Sequence, residues 1–409
     1  MTSPTAVQID LTDPDRFVAQ QHYEMFSWLR DNDPVHWHAT PDGGGFWVLT
    51  TYEDVAAAYL NHTDLSSEAG PMLGGSLYSD SDPSAGQMLV STDPPRHRML
   101  RQQLHQTFAQ HVIKRVARQV EELVDTAVER ALADGGCDFS TDIAEELPAG
   151  ALMVMMGISR TRAQELIDLT RSMIGYRDPL LVTDTEDDER LRLAVIQAEI
   201  FDFCADLLRE KRKNPGDDLV SQLLRAELNG RPWTENEILF NCMNVAVGGD
   251  ETSSYTACAG TLALDEHPDQ LERLRTEPEL LDSALNEMLR WNSTNLYVHR
   301  VALRDTVIQD KEVRRGQSVT LWNVSANRDP AQFREPETFD ITRSPNKHMS
   351  YGIGIHRCIG AMLAHTELTV LFRKLLAPDL RIAVAGPPRR LRSNFIQGIT
   401  RLPVVLTRC

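Results

Sequence analysis

Apolar residues recur at helical spacing along much of this chain. Over residues 94–132 and 186–213 they return every three or four positions among charged residues, which predicts amphipathic helices. A long helix is predicted from 234 to about 267, because Thr234 and Glu237 have the spacing of a capping box and a proline follows the segment. Short strands are predicted at 46–51, 298–302 and 318–322. The pattern predicts a fold that is mainly α with a minor β part.

Two polar segments interrupt this pattern. Residues 66–91 are rich in Gly, Ser, Asp and Pro, and residues 176–188 contain an acidic run. Loops of this length inside a compact domain are often functional, so both are candidate substrate lids, with ordinary solvated loops as the alternative. Since no repeat and no hinge-like linker separates the elements, we expect a single domain over 1–409.

The charge balance narrows the range of partners. The chain has 409 residues, with 42 Lys and Arg against 59 Asp and Glu, a net charge of −17. This negative field disfavours binding to nucleic acid and to anionic membrane surfaces. The first fifteen residues do not have the pattern of a signal peptide, and the most apolar run, 149–158, is too short to span a bilayer. We therefore expect a cytoplasmic protein with neither a nucleic acid nor a membrane as its partner.

The six cysteines are scattered, and no two have C-x-x-C spacing. This argues against a disulfide framework, a zinc ribbon and a ferredoxin-type cluster. Any cysteine that takes part in chemistry is expected to act alone.

One of these cysteines lies in an unusual segment, 351–360, which reads YGIGIHRCIG. Its first two glycines permit a tight turn, and Cys358 lies at the start of a predicted helix, where free backbone amides favour a thiolate. Gly360 leaves space beside the sulfur for a flat group. The pattern suits a metal ligand, with a buried structural cysteine as the alternative. A dinucleotide site is excluded, because the third glycine of its fingerprint would fall on Arg357.

Three further patterns carry candidate chemistry. Glu287 and Arg290 are three residues apart on a predicted helix and can form an ion pair, which alone would be an ordinary surface pair. His97 and Arg101 share one helix face and suit a bound carboxylate, although solvent exposure is the alternative. Segment 248–254, GGDETSS, lies in the middle of the long predicted helix.

The two glycines in segment 248–254 disfavour a helix, by about 1 kcal/mol each relative to alanine. The hydroxyl of Thr252 can bond the carbonyl four residues back and open a groove. Two helices with a loop between them are the alternative to a continuous helix.

Together these segments resemble the cytochrome P-450 family, and in particular its soluble actinobacterial tailoring members. The cysteine segment matches the family's haem-binding loop, F-G-x-G-x-H-x-C-x-G, except that Tyr351 replaces the usual Phe. The resemblance extends from about Asp10 to Thr407. It implies the cytochrome P-450 fold, with haem b between the long central helix and the Cys-ligand loop, and Cys358 as the iron ligand.

The resemblance also implies roles for the other patterns. Glu251 and Thr252 would relay protons during dioxygen activation, and Glu287 and Arg290 would hold the core beneath the haem. Asp250 occupies a variable position and receives no role. The position that usually carries the pair's basic partner is Thr338, so that partner is not identified. The implied haem-contacting residues are His97, Arg101, Arg300, His356, Cys358 and Gly360.

The implied function is a haem-thiolate monooxygenase that hydroxylates or epoxidises a small organic substrate in bacterial secondary metabolism, with a carrier-protein-bound substrate as one case. Oxidative C–C or C–S bond formation without oxygen insertion and a non-catalytic haem sensor or carrier remain alternatives. Because the chain has no Walker loop, dinucleotide fingerprint or cysteine cluster, electrons from NAD(P)H are expected through a ferredoxin and its reductase. The implied substrate contacts are Leu73, Leu77, Tyr78, Met88, Leu89, Val90, Val245, Gly249, Asn295, Leu296, Tyr297, Val298, Phe395 and Ile396.

Overall fold

The computed structural model describes residues 7–74, 82–182 and 188–408 and is mostly helical. The predicted lid residues Leu77 and Tyr78 lie outside these ranges, as does part of the 176–188 segment. The helices are α1 (Pro14–Val18), α2 (His22–Asn32), α3 (Tyr52–Leu60), α4 (Arg96–Leu104), α5 (Gln110–Asp134), α6 (Glu146–Leu152), α7 (Arg160–Ile174), α8 (Glu189–Lys213), α9 (Leu219–Arg225), α10 (Glu235–Gly249), α11 (Glu251–Glu266), α12 (Pro268–Thr276), α13 (Leu281–Asn292), α14 (Asn323–Ala326) and α15 (Ala361–Leu375). The predicted mainly α class is confirmed.

The β part consists of small sheets. Its largest sheet has the strand order β1-β2-β10-β7-β3, in which β10 pairs with β2 in parallel and the other neighbours are antiparallel. A three-stranded sheet has the order β11-β14-β4. The strands are β1 (Val35–Ala39), β2 (Gly45–Leu49), β3 (Leu65–Ser66), β4 (Cys137–Asp138), β5 (Glu227–Leu228), β6 (Arg231–Pro232), β7 (Tyr297–Ala302), β8 (Thr306–Ile308), β9 (Lys311–Val313), β10 (Ser318–Trp322), β11 (Leu380–Val384), β12 (Arg389–Arg390), β13 (Ile399–Arg401) and β14 (Pro403–Arg408).

The sequence pattern located most of the long elements. In one of them, it missed an interruption of the helix. The helix predicted over 186–213 is α8, whose first turn is capped by the side chain of Asp188. The helix predicted over 94–132 is instead divided into α4, a short 3-10 turn and α5. The division occurs because Ala109 adopts an extended backbone, with ψ of 153°, immediately before α5. The predicted strands correspond to β2, β7 and β10.

The long helix predicted from 234 to 267 is broken at one residue. Its start is as predicted, because the Thr234 hydroxyl accepts a hydrogen bond from the Glu237 amide and the Glu237 carboxylate accepts one from the Thr234 amide. At Asp250 the backbone has φ −82° and ψ −80°, which ends α10 and begins α11. The prediction of one continuous helix is therefore wrong at this residue, and the alternative of an intervening loop is also wrong. The Thr252 hydroxyl donates to the Gly248 carbonyl oxygen at 3.0 Å, across the break.

The hydrophobic core surrounds the second half of this broken helix. Residues of α5, α11, α13 and α15 form the largest apolar cluster, and nearly every residue of α11 is buried. A second cluster joins α7, α8 and α10. Among the described residues, no helix combines the length and apolar character that a membrane span requires.

A buried ion-pair network fixes the coil between α14 and α15. Arg290 donates from Nη2 to Oε1 of Glu287 at 2.7 Å, and both side chains have no exposed surface. Arg343 is the third member, with its Nε 3.1 Å from Oε2 of Glu287. Arg290 and Arg343 also donate to backbone carbonyls of residues 327 and 334–338. Arg343 is the basic partner that the sequence did not identify, five residues beyond Thr338.

This network yields a stability prediction. We expect Arg343→Met to lower the free energy of unfolding by about 3–5 kcal/mol, because Glu287 then remains buried with one cation fewer. Chemical denaturation measures the change. Arg334→Met is the matched control, since the Arg334 side chain is exposed and only its carbonyl joins the network. Equal effects of the two substitutions would contradict the interpretation.

Candidate active site

A large cavity separates the broken helix from the cysteine loop. Its volume is about 310 Å³, whereas two other cavities have volumes of about 20 and 10 Å³. Residues of α10 and α11 form one wall, and residues 350–360 with the start of α15 form the other. A space of this size between two walls can hold a large flat ligand together with a second, smaller molecule.

The cysteine loop presents a sulfur atom to this cavity. Gly352 and Gly354 have φ of +59° and +70°, a left-handed conformation that strongly favours glycine. The Cys358 amide donates to the Tyr351 carbonyl oxygen at 2.8 Å, which closes the turn. Cys358 is exposed, and its exposed surface faces the cavity. Burial by the surrounding protein raises the pKa of its thiol, while the Gly360 amide, Arg101 and Arg357 act in the opposite direction.

Glycines keep both walls free of side chains. Among the described residues, a Cβ atom added to Gly248 or Gly249 would meet no atom within 4 Å beyond its own stretch of helix α10. A Cβ atom added to Gly360 would make only ordinary contacts, 3.5 Å from Phe108 and 4.0 Å from the Cys358 sulfur. Protein packing therefore does not require these three glycines. Their common effect is to leave open space on both sides of the cavity.

Four basic side chains line one edge of the cavity without a carboxylate partner. They are His97 and Arg101 from α4, Arg300 from β7, and His356 from the cysteine loop. The rings of His97 and His356 lie 4.3 Å apart, and His97 is only 1% exposed. Within the described ranges, none of the four forms an ion pair, and both ring nitrogens of His97 are without a hydrogen-bond partner. The alternative of a solvent-exposed His97 and Arg101 pair does not describe this arrangement.

The electrostatics of this edge favour an acidic ligand. Burial, together with the neighbouring Arg101, lowers the pKa of His97 to about 4. Burial and the neighbouring Arg300 lower the pKa of His356 to about 2. Burial also lowers the pKa of Arg300, which is 6% exposed. A ligand carboxylate at this edge would compensate the charge of Arg101 and Arg300 and could accept hydrogen bonds from the neutral rings of His97 and His356.

The acidic and hydroxyl residues of segment 248–254 point in different directions. Thr252 lines the cavity. Glu251 is fully buried outside the cavity wall, and its Oε1 lies 3.0 Å from Nε of Arg171 in α7. Burial raises the pKa of Glu251, and the Arg171 guanidinium opposes that rise. Glu251 and Thr252 are thus adjacent along the chain but face opposite sides of the break.

The residues implied as substrate contacts fall into two groups. Those that line the cavity are Leu89, Val90, Val245, Gly249, Asn295 and Val298. The others pack in the apolar clusters around the site instead of lining it, and these are Leu73, Met88, Leu296, Tyr297, Phe395 and Ile396. Tyr297 packs with Trp322 because the two residues are paired between β7 and β10, and Leu296, just before β7, lies in the same apolar cluster.

Of the polar residues of the cavity wall, the sequence did not single out Asn244 and Glu367, and Tyr351 received no role from it. Asn244 lies one helical turn before Gly248 and faces the same space. Glu367 interrupts the apolar face of α15, and burial raises its pKa to about 8, while the neighbouring Ser253 opposes that rise. Tyr351, the departure from the family motif, has a buried hydroxyl without a hydrogen-bond partner in the described structure. Glu367 could have been found from the sequence, because a carboxylate on an otherwise apolar helix face is unusual.

Comparisons with known proteins identify the class of this site. The profile of the family described as "Cytochrome P450" matches residues 20–378, so the chain belongs to the cytochrome P450 family. It is 31% identical to linalool 8-monooxygenase of Pseudomonas putida over 410 residues, covering 97% of this chain and 98% of that protein. This membership confirms the predicted fold and the oxidoreductase, monooxygenase class.

Two solved bacterial structures show the same fold. One is P450 OxyD, described as involved in the biosynthesis of vancomycin-type antibiotics, with a TM-score of 0.86 and 31% identity over 98% of this chain and all of that chain. The other is P450BioI in complex with an acyl carrier protein that bears hexadec-9-enoic acid, with a TM-score of 0.84 and 26% identity over 96% of this chain and 99% of that chain. The chain therefore resembles tailoring members of the family over nearly its whole length.

The residues of the cavity fit the haem that the family implies. Haem is flat, carries two carboxylates and needs an axial ligand. The glycine-bordered space, the four unpaired basic side chains and the Cys358 sulfur are complementary to these three properties. Among the described residues, no cluster of three or more His, Cys, Asp and Glu offers a separate metal site.

Proposed function

We propose that this monooxygenase binds haem b through the Cys358 thiolate and inserts one oxygen atom into a C–H bond or a double bond of a small organic substrate. The observation that carries the proposal is the Cys358 sulfur, which faces a cavity opposite Gly248 and Gly249. When bound, thiolate-ligated haem supplies the dioxygen-activating chemistry. The residues around it bind, orient and deliver protons.

Each of these residues has a distinct proposed role. His97, Arg101, Arg300 and His356 bind the two haem carboxylates, which compensates the buried positive charge. Thr252 holds a hydroxyl proton in the cavity, where it now donates to the Gly248 carbonyl. Glu251 brings protons from the α7 side, and a rotation away from Arg171 carries its carboxyl toward Thr252.

The substrate side of the cavity combines apolar and amide groups. Leu89, Val90, Val245 and Val298 supply apolar surface, while Asn244 supplies an amide. This combination favours a largely apolar molecule that bears one or two polar groups. We place the reaction in bacterial secondary metabolism, which the likeness to OxyD supports, and include a carrier-bound substrate, which the likeness to the P450BioI complex supports.

The axial ligand is tested by a Cys358→Ser variant. We expect the reduced, CO-bound wild type to have the thiolate-type Soret shift and the variant to lack it, because a serine oxygen replaces the sulfur. Absorption spectroscopy of the haem-loaded proteins measures the difference. Cys137→Ser is the control, since Cys137 does not line the cavity. A thiolate-type spectrum in Cys358→Ser would overturn the assignment.

The reaction is tested with a panel of candidate substrates, free and attached to an acyl carrier protein. Compounds that bind displace the iron-bound water and shift the Soret band, which ranks the panel. With the best compound under labelled dioxygen, we expect one labelled oxygen atom in the product. A coupled product without label would instead establish C–C or C–S bond formation, and tight binding without turnover would establish a haem sensor or carrier.

We further propose that electrons from NAD(P)H arrive through a ferredoxin reductase and a ferredoxin. Arg98, Lys347 and Arg357 are exposed near the cysteine loop, and within the described ranges none of them forms an ion pair. Arg101 joins this group, with its Nη2 donating to the Arg357 carbonyl at 2.8 Å. On a chain with a net charge of −17, such a patch attracts an acidic ferredoxin through its local potential.

The patch is tested by a double substitution, Arg98→Gln with Lys347→Gln. We expect ferredoxin-driven reduction at low salt to slow by about tenfold or more, because the two charges steer the encounter. Stopped-flow absorption measures the rate. Arg209→Gln with Lys213→Gln removes the same charge from α8 and should leave the rate unchanged. Equal rates for wild type and patch variant at low salt would exclude this docking surface.

A further inference from the structure

Three buried carboxyl groups meet at the break between α10 and α11. Asp250 and Glu251 are fully buried, and Glu145, just before α6, is 5% exposed. Arg171 of α7 contacts both Glu145 and Glu251. It is the only cation that the described structure pairs with either of them. Three ionised carboxylates around one guanidinium would leave two negative charges buried, which is very costly.

The hydrogen bonds of Thr170 indicate where a proton resides. Its Oγ1 lies 3.0 Å from the Leu166 carbonyl oxygen and 3.1 Å from the Ile167 carbonyl oxygen, and it also contacts Oδ2 of Asp250. A hydroxyl has one proton to donate, and a carbonyl can only accept. A helical threonine donates to the carbonyl one turn back. When Thr170 does so, its contact with Asp250 is a hydrogen bond only if Asp250 donates.

The surroundings of Asp250 are consistent with a neutral acid. Its Oδ1 has no hydrogen-bond partner among the described residues, which suits a carboxyl that bears no charge. Burial raises the pKa of Asp250 well above its ordinary value, and the neighbouring Glu251 raises it further. The Arg171 guanidinium opposes that shift, while Glu145 adds to it. The other polar groups close to Glu251 are Tyr255 and Asp168.

We propose that Asp250 is an un-ionised carboxylic acid in the resting protein, that it donates its proton to Thr170 Oγ1, and that it acts as a positioning residue for Glu251. Because Asp250 stays neutral, the Arg171 guanidinium is left to Glu251 and Glu145. Two consecutive residues at the break thus engage two consecutive residues of α7, Thr170 and Arg171. The proposal rests on the proposed function only for the proton-delivering role of Glu251.

Infrared spectroscopy of the haem-loaded protein tests the protonation directly. We expect a carbonyl-stretch band of a protonated carboxylic acid that moves in D₂O and disappears in Asp250→Asn. Other buried acids, such as Glu367, retain their bands in this variant and serve as internal references. A difference spectrum between wild type and Asp250→Asn without a carboxylic acid band would show that Asp250 is ionised and would overturn the proposal.

The hydrogen bond is tested at its other end. Thr170→Val keeps the shape of the side chain but removes the hydrogen-bond acceptor. The Asp250 carboxylic acid band should therefore persist but move to the frequency of a carboxylic acid without a hydrogen bond. Thr170→Ser keeps the hydroxyl and should leave the band in place. A band that Thr170→Val does not move would overturn the Asp250–Thr170 bond.

The positioning role is tested by comparing two replacements of Asp250 in urea unfolding. Asparagine is neutral and can still donate to Thr170, whereas leucine cannot. We expect Asp250→Asn to retain the wild-type midpoint at pH 7 and Asp250→Leu to unfold at lower urea. If the unfolding midpoint of Asp250→Asn is lowered as much as that of Asp250→Leu, Asp250 is an ionised member of the cluster and the proposal fails. Infrared spectroscopy and urea unfolding do not require turnover, so their outcomes are independent of the test of monooxygenation.

Discussion

A helix that passes through the centre of a protein must give up side chains if a flat ligand is to lie against it, and the rest of this structure depends on that constraint. Gly248 and Gly249 leave the cavity-facing side of the helix without side chains, and each lowers helix stability by about 1 kcal/mol relative to alanine. The helix then breaks at the next residue, Asp250. Buried polar side-chain contacts with α7 hold the two halves at this point, and the Thr252 hydroxyl donates to the Gly248 carbonyl oxygen across the break.

The opposite wall solves a different problem, which is to hold a single sulfur atom in one place. The cysteine loop takes its shape from left-handed glycines and from the backbone hydrogen bond between Cys358 and Tyr351. The coil before it is held by Arg290 and Arg343, which bind carbonyl groups that would otherwise lack partners. Strong polar bonds thus replace a hydrophobic core where the backbone is irregular.

Periodicity and capping residues predicted the long elements well because each depends on neighbours in sequence. The capping box of Thr234 and Glu237 located the start of α10, and the glycines of 351–360 located the tight turn. Local sequence patterns could not predict contacts between segments that are distant in the chain. Arg343 was missed because its partner Glu287 lies 56 residues away, and the pairing of Glu251 with Arg171 was missed because nothing in the local sequence of Glu251 reveals that partner. Tyr297 lies in the core because it pairs with Trp322 between β7 and β10, and local patterns do not specify that pairing.

The four basic side chains at the cavity edge affect how much of the protein accumulates in the cell. Without an acidic ligand, Arg101 and the buried Arg300 are cations without a counter-charge in a dry environment, which weakens the folded state. A dicarboxylate cofactor that binds only the folded chain raises its stability by mass action. Small changes in folding free energy alter how much of a protein survives quality control. The amount of this protein that accumulates should therefore follow the availability of haem during synthesis.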